Sequence, residues 1–192
     1  SAGFFDYFNV MSVVGGVALV LLTYLHGLNY IALKTLGDIR ERARNYAAFL
    51  YWILYAGLVV FAVLLFFQTD FFQVRPLGTL ITVALIVCFA VLGHIATFKG
   101  NEMLAFISSG LTMVSLVAMI FVGMFPRVMI SSISDEYGLL IQNASSTSYT
   151  LTVMTIATIC LLPFVLAYTI WSYWIFRKRI ALPVVHTAEV VK

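Results

Sequence analysis

The sequence predicts an all-α integral membrane protein with five transmembrane helices, and three observations lead to this prediction. First, 62% of the 192 residues are hydrophobic and only 10% are charged, whereas an ordinary soluble domain is about 45–50% apolar. Second, five stretches reach the length of about 20 apolar residues that a helix needs to cross a bilayer. Third, no stretch alternates polar and apolar residues, which argues against membrane-spanning strands. The predicted spans are residues 10–33, 47–67, 77–98, 103–125 and 151–176, and we expect them to form one domain over residues 1–192.

The first two spans are joined by a short basic connection. The first span ends before Lys34, and Asp38 and Glu41 have the spacing of a capping box. We therefore expect the second helix to begin at Ile39, outside the membrane, and to run continuously into its span. Its first turns would form a basic, wetted stub.

Polar residues mark the ends of the later spans. Asn101 is expected to cap the fourth span, Pro126 to end it, and residues 145–148 (SSTS) to supply cap oxygens for the fifth. Pro163 should kink the fifth helix. Small and hydroxyl side chains in the fourth span predict close helix packing; they are Ser108, Ser109, Gly110, Thr112, Ser115 and Ala118.

The distribution of basic residues predicts the orientation of the helices. Nine of the eleven Lys and Arg residues lie in the first and third connections and in the C-terminal tail, and the other side has only Arg75 and Arg127. By the positive-inside rule the tail is cytoplasmic and Ser1 lies outside. The chain has no initial Met, so we expect it to be part of a longer multi-pass protein of the cell membrane.

The long outer connection, residues 126–150, is rich in apolar side chains. Such a segment is too apolar for a freely solvated tether. We expect it to be ordered and docked as a roof over the bundle, with a short helix between Asp135 and Ile141. The two cysteines, Cys88 and Cys160, lie deep in apolar runs and are interpreted as small core residues.

Several functional classes are excluded or weakened by composition and motifs. A net charge of +3 is too small for a nucleic-acid-binding surface. The sequence has no P-loop, dinucleotide fingerprint, nucleophile elbow or paired carboxylate site, so no catalytic residue and no metal site are predicted.

Two histidines are the ionisable residues expected inside the membrane. His26 lies about 12 Å from Lys34 along its helix and His94 about 7 Å from Lys99, so their depths are similar. A bis-histidine haem would need such a pair; a proton path and a satisfied interhelical contact are the alternatives. We predict that the chain binds no haem and that these histidines are structural or proton-conducting.

Asn29 and Tyr30 share a helix face with His26, because they follow it at i+3 and i+4. We expect this face to look into the bundle. The candidate site is therefore a proton path or an interhelical polar cluster made of His26, Asn29, Tyr30 and His94.

Three blocks of sequence resemble subunit II of cytochrome bd-type quinol oxidases. Residues 25–35 (LHGLNYIALKT), with Gly37 and residues 40–44 (RERAR), resemble the inner end of its fifth helix. Residues 125–129 (FPRVM) and 141–146 (IQNASS) resemble its outer loop, and residues 151–180 resemble its last helix. The resemblance implies the second half of that subunit, a four-helix bundle plus a peripheral helix.

The resemblance also implies a function. Members are terminal oxidases of prokaryotic respiration, which oxidise quinol and reduce oxygen to water. Haem b and haem d belong to subunit I, and subunit II is its cofactor-free, stabilising partner. The implied partners are subunit I, a small single-span subunit, the missing N-terminal half, membrane lipids and quinol.

Half of a secondary transporter built from repeated bundles is the alternative function. A transporter should have broken helices with polar residues near the middle of the bilayer. The polar residues here lie toward one side instead, which favours the oxidase subunit.

Overall fold

The computed structural model describes residues 10–131 and 137–179. In this part of the chain the elements are α1 (Val10–Lys34), α2 (Asp38–Gln68), α3 (Phe71–Val74), α4 (Pro76–Lys99), α5 (Glu102–Met124), β1 (Arg127–Met129), β2 (Leu139–Leu140), α6 (Ile141–Ala144) and α7 (Ser148–Ile175). Among the described residues, five helices are long and apolar enough to cross a membrane: α1, α2, α4, α5 and α7. The predicted all-α membrane fold is confirmed.

Four of these helices form a bundle. α1 packs on α2 and α5, and α4 packs on α5 and α2, so the four helices close into a ring. The largest side chains of the core include Leu22, Leu25, Tyr51, Leu65 and Met119. The hydroxyl-rich face of α5 is buried among its neighbours, as the small-residue pattern predicted.

The fifth long helix lies at the edge of the bundle. Within the described chain, no residue of α7 is buried. Its contacts with the bundle lie at its C-terminal end, where Lys34 Nζ donates to the Phe176 carbonyl at 2.7 Å and Tyr30 meets the Tyr173 ring edge-on. The structure therefore has a four-helix bundle with one peripheral helix, and the outer surface of α7 is free to meet lipid or other protein.

Two of the predicted helix caps are confirmed and one is wrong. Asn101 accepts from the Leu104 N–H at 3.2 Å, and Thr147 accepts from the Thr150 N–H. The predicted cap Asp38 is instead the first residue of α2, after Gly37 turns the chain with a positive φ of 67°. There its carboxylate pairs with Arg42 and complements the positive end of the helix.

The long connection after α5 forms a small hairpin. Its strands β1 and β2 pair antiparallel, and Arg127 is held by an ion pair of 2.7 Å with Asp70. The predicted helix between Asp135 and Ile141 is wrong for the described residues, since β2 occupies the end of that range; residues 132–136 lie outside them. Pairing of β2 with β1, and a bond from the Ile141 N–H to the Pro126 carbonyl at 3.0 Å, hold the backbone at this end of the connection.

The described part of this connection is docked as expected, through the ion pair of Arg127 with Asp70, but its apolar side chains do not form a roof over the bundle. Apolar side chains of the hairpin, including Val128, Met129 and Ile130, are exposed.

Both cysteines are exposed as well, so their predicted place in the core is wrong. A small apolar side chain that faces lipid costs no free energy relative to burial, because hydrocarbon is as apolar as a protein core.

Candidate functional site

Polar side chains of four helices meet near one end of the bundle. We call this the basic end, because α1 ends there at Lys34, α4 ends there at Lys99, and α2 begins beside Arg40. The polar layer, as we name it, consists of His26, Asn29, Tyr51, Tyr55, His94 and Ser109. Each of these side chains contacts at least one other member of the layer.

His26 links α1 to α5. Its Nδ1 lies 2.8 Å from the Ser109 hydroxyl, and that hydroxyl donates to the Phe106 carbonyl at 2.9 Å. While the hydroxyl hydrogen is directed at Phe106, the Ser109 oxygen can accept from the Nδ1–H tautomer of His26. The imidazole also stacks on the Phe106 ring, with 4.4 Å between ring centroids. His26 is therefore fixed by a polar and an aromatic contact with one neighbouring helix.

Asn29 lies at the centre of the layer and is 1% exposed. Its Nδ2 donates to the Tyr51 hydroxyl of α2 at 3.3 Å and to the Ala105 carbonyl of α5 at 3.4 Å. A buried amide without such partners would cost free energy. One side chain thus joins three helices.

Tyr51 fits against a glycine of α4. A Cβ placed on Gly93 would lie 2.4 Å from the Tyr51 hydroxyl, which is closer than atoms can approach. Tyr51 is 1% exposed, so it has little room to move. Gly93 is therefore part of the site, because the absence of a side chain there makes room for the Tyr51 hydroxyl.

His94 lies in a cage of aromatic rings. Its ring stacks on Tyr51 at 4.8 Å and is flanked by Trp52, Tyr55 and Phe98. Its Nδ1 lies 3.1 Å from the Tyr55 hydroxyl, whereas Nε2 is buried without a hydrogen-bond partner among the described residues. The cage joins α2 to α4.

Tyr30 does not belong to this layer. The shared helix face predicted that it looks into the bundle, but its side chain is 36% exposed and packs on Phe106 and Tyr173. The prediction is wrong for this residue because the face containing His26 and Asn29 is narrow, and Tyr30 sits at its edge toward α7.

Sequence reasoning missed a buried carboxylate at the basic end. Glu102 is 6% exposed at the start of α5 and accepts from Arg40 Nε at 2.8 Å. Arg179, beyond α7, donates to its other oxygen at 3.3 Å. An acidic residue at the end of a span, among many arginines, is the signal that could have indicated it. The ion pairs join the start of α2, the start of α5 and the segment after α7.

His94 Nε2 is enclosed by aromatic rings and has no accessible surface for an iron to approach. In both histidines Nδ1 makes the contact with a neighbouring hydroxyl group. The described residues also contain no group of three or more His, Cys, Asp or Glu placed to hold a metal ion. What the layer can do is tie helices together through hydrogen bonds and stacked rings.

Comparison with known proteins gives consistent matches over most of the chain. The family described as cytochrome bd terminal oxidase subunit II matches residues 1–176. Cytochrome bd ubiquinol oxidase subunit 2 of Bacillus subtilis is 42% identical over 177 residues, which cover 92% of this chain and 52% of that protein. Cytochrome bd-I ubiquinol oxidase subunit 2 of Escherichia coli K12 is 26% identical, with 94% and 55% covered. The chain spans about half the length of these curated relatives.

Proposed function

Because this chain belongs to the cytochrome bd terminal oxidase subunit II family, we propose that it forms half of the non-haem subunit of a quinol-oxidising, oxygen-reducing membrane complex. In this role it stabilises a haem-bearing subunit I, in which haem b and haem d reside, and supplies no catalytic residue of its own. The observation that carries the proposal is the family match over residues 1–176. The bilayer would be that of a prokaryotic cell membrane.

The outer surface of the bundle supports a role in assembly. α7 has no buried residue within the described chain, and its exposed face is rich in large apolar and aromatic side chains. Lipid tolerates such a surface, but a partner helix packs on it equally well. The proposed partners are subunit I, the half of the relatives that this chain does not span, and a small single-span subunit. Quinol would be oxidised on the partner.

The basic end is proposed to face the cytoplasm, with the N-terminus outside and the C-terminus inside. Lys34, Lys99 and Arg177 lie at this end, in agreement with the positive-inside rule. The opposite end carries Arg75 and Arg127.

The polar layer is proposed to be an interhelical tie rather than a proton path. Its three hydrogen-bonding contacts between side chains join different helices: α1 with α5, α1 with α2, and α2 with α4. Helix association in a bilayer depends on packing and such hydrogen bonds, since lipid is as apolar as the side chains. Both histidines of the layer lie toward the basic end of their helices, and the buried polar side chains at the middle of α5 are the uncharged hydroxyl residues Thr112 and Ser115. This arrangement differs from the central substrate and ion site of a secondary transporter.

Co-purification with a haem protein tests the proposed function. A protein carrying an affinity tag after Lys192, expressed in its own membrane, should bring down a haem-bearing polypeptide and quinol-driven oxygen consumption. A tag on an unrelated multi-pass protein of the same membrane is the control. Recovery of this chain without any haem protein, under conditions that keep other respiratory complexes intact, would contradict the proposal.

Replacing His26 by alanine should leave every haem band of the complex in place. The physical reason is that His26 Nδ1 bonds Ser109 and its ring stacks on Phe106, so the residue holds α1 against α5. Loss of that hydrogen bond and ring contact should cost about 1–3 kcal/mol of stability. Reduced-minus-oxidised spectra and melting of the purified complex check both statements.

Two outcomes of this experiment would argue against the tie. Loss of one haem band in a correctly assembled complex would make His26 a ligand. Loss of turnover with unchanged spectra and unchanged stability would instead indicate a proton path.

A further inference from the structure

A groove with basic side chains lies between the bundle and the end of α7. It consists of two adjoining cavities of about 230 and 350 Å³, and both are lined by Tyr30 and Lys34 of α1. Phe106 of α5 and Tyr173 of α7 form further walls of the first cavity. We call this region the basic groove.

Four cationic side chains line the basic groove: Lys34, Arg177, Lys178 and Arg179. Among the described residues, the carboxylate paired with one of them is Glu102, which bonds Arg179 and also Arg40. Glu102 is therefore more than balanced by its own arginines. The groove keeps an excess of positive charge.

Hydrogen-bond donors remain available on these cations. Lys34 uses one of its three N–H groups on the Phe176 carbonyl. The Arg177 guanidinium lies over the Trp174 ring at 4.8 Å, an arrangement that uses its face and leaves its edge donors for another acceptor. An anionic oxygen in the groove could therefore be bonded from both α1 and the end of α7.

The walls beside the cations are apolar. Leu33, Met103, Phe106 and Ile175 line the two cavities. α7 has no buried residue within the described chain, and its contacts with α1 lie near its C-terminal end, so most of its length is open to acyl chains. A ligand with a negative head and apolar tails matches both parts.

We propose that the basic groove binds one anionic phospholipid, with its phosphate between Lys34 and Arg177 and its acyl chains between α7 and the bundle. The groove lies where the spans end, which is the depth of lipid headgroups. This phospholipid would replace side-chain contacts that α7 lacks along its length. The inference does not rest on the proposed function, because it uses only charges and cavities of this chain.

Lipid binding to the delipidated, intact complex tests the proposal. Native mass spectrometry in a neutral detergent should show phosphatidylglycerol bound more tightly than phosphatidylcholine. The doubly substituted variant Arg177→Gln/Lys178→Gln should bind phosphatidylglycerol about thirtyfold more weakly, since each cation near an anionic headgroup contributes about 1 kcal/mol. Arg42→Gln/Lys99→Gln, which removes the same charge from the same end outside the groove, should bind as the unsubstituted complex does.

Each alternative occupant gives a different result. Equal affinity for phosphatidylglycerol and phosphatidylcholine would overturn the proposal. An equal loss of phosphatidylglycerol affinity in the two double variants would overturn it as well. Displacement of phosphatidylglycerol by millimolar inorganic phosphate would indicate a free-anion site instead, and absence of lipid binding would indicate that a partner helix fills the groove. If the Arg177→Gln/Lys178→Gln variant does not assemble, the unsubstituted complex provides the test. Its affinity for phosphatidylglycerol should fall with added salt, and salt-independent binding would contradict the proposal.

Discussion

Replacing Glu102 by alanine is expected to destabilise the assembled bundle by about 2–3 kcal/mol. The carboxylate is 6% exposed and pairs with Arg40 and Arg179. Breaking a fully buried pair costs about 3–5 kcal/mol, because one charge is left without its partner. We expect somewhat less here, since Arg40 is 30% exposed and water screens it. The melting temperature of the purified complex in detergent measures the effect.

Asp38→Ala is the matched control for this prediction. It also removes a carboxylate paired with an arginine at the basic end, but both partners of the Asp38–Arg42 pair are well exposed. Such pairs are worth less than about 1 kcal/mol. Equal melting temperatures for the two variants would show that Glu102 does not join α2, α5 and the segment after α7.

Replacing Gly93 by alanine should destabilise the complex by about 1–3 kcal/mol, the usual cost of overpacking a core. The added methyl group would lie 2.4 Å from the Tyr51 hydroxyl. Tyr51 must then shift, which weakens its hydrogen bond from Asn29 and its stacking on His94. Gly57→Ala in α2 is the control, since a Cβ there has no atom within 4 Å.

A double variant shows whether the clash with Tyr51, rather than another effect of replacing Gly93, causes the loss of stability. Tyr51→Phe removes the hydroxyl, and the next nearest atom to the added methyl group is the ring carbon at 3.3 Å. Gly93→Ala should therefore cost less in the Tyr51→Phe background than alone. Strictly additive effects would mean that the two residues do not meet as the structure has them.

The five membrane-spanning helices could be predicted from the sequence because the bilayer imposes a length and an apolar composition on each span. The β1–β2 hairpin could not, because its pairing joins residues that are distant in sequence. Local signals also identified Asn101 and residues 145–148 as cap positions, since a cap depends on neighbouring residues alone. The Asp38 cap failed for a reason that is still local: Gly37 adopts a positive φ and takes the cap position itself.

The candidate site was only partly predictable, because its contacts join different helices. Helical spacing correctly placed His26 and Asn29 toward the bundle, but it could not show that Tyr30 falls at the edge of that face. Nothing in the sequence indicated that His94 is enclosed by aromatic rings, most of them from α2. For Glu102 the signal was its place at the end of a span among many arginines, but that signal does not show which arginines pair with it. These features depend on which helices are neighbours and how each is rotated about its axis.

We propose above that this chain is the haem-free, stabilising part of an oxidase. The decisive experiment is the reduced-minus-oxidised spectrum of the complex purified through a tag on this chain, recorded before and after the chain is separated from its partners in mild denaturant. We expect haem bands in the intact complex and, after separation, haem only in the fraction that lacks this chain. Haem remaining with the isolated chain, or an intact complex without haem bands, would contradict it.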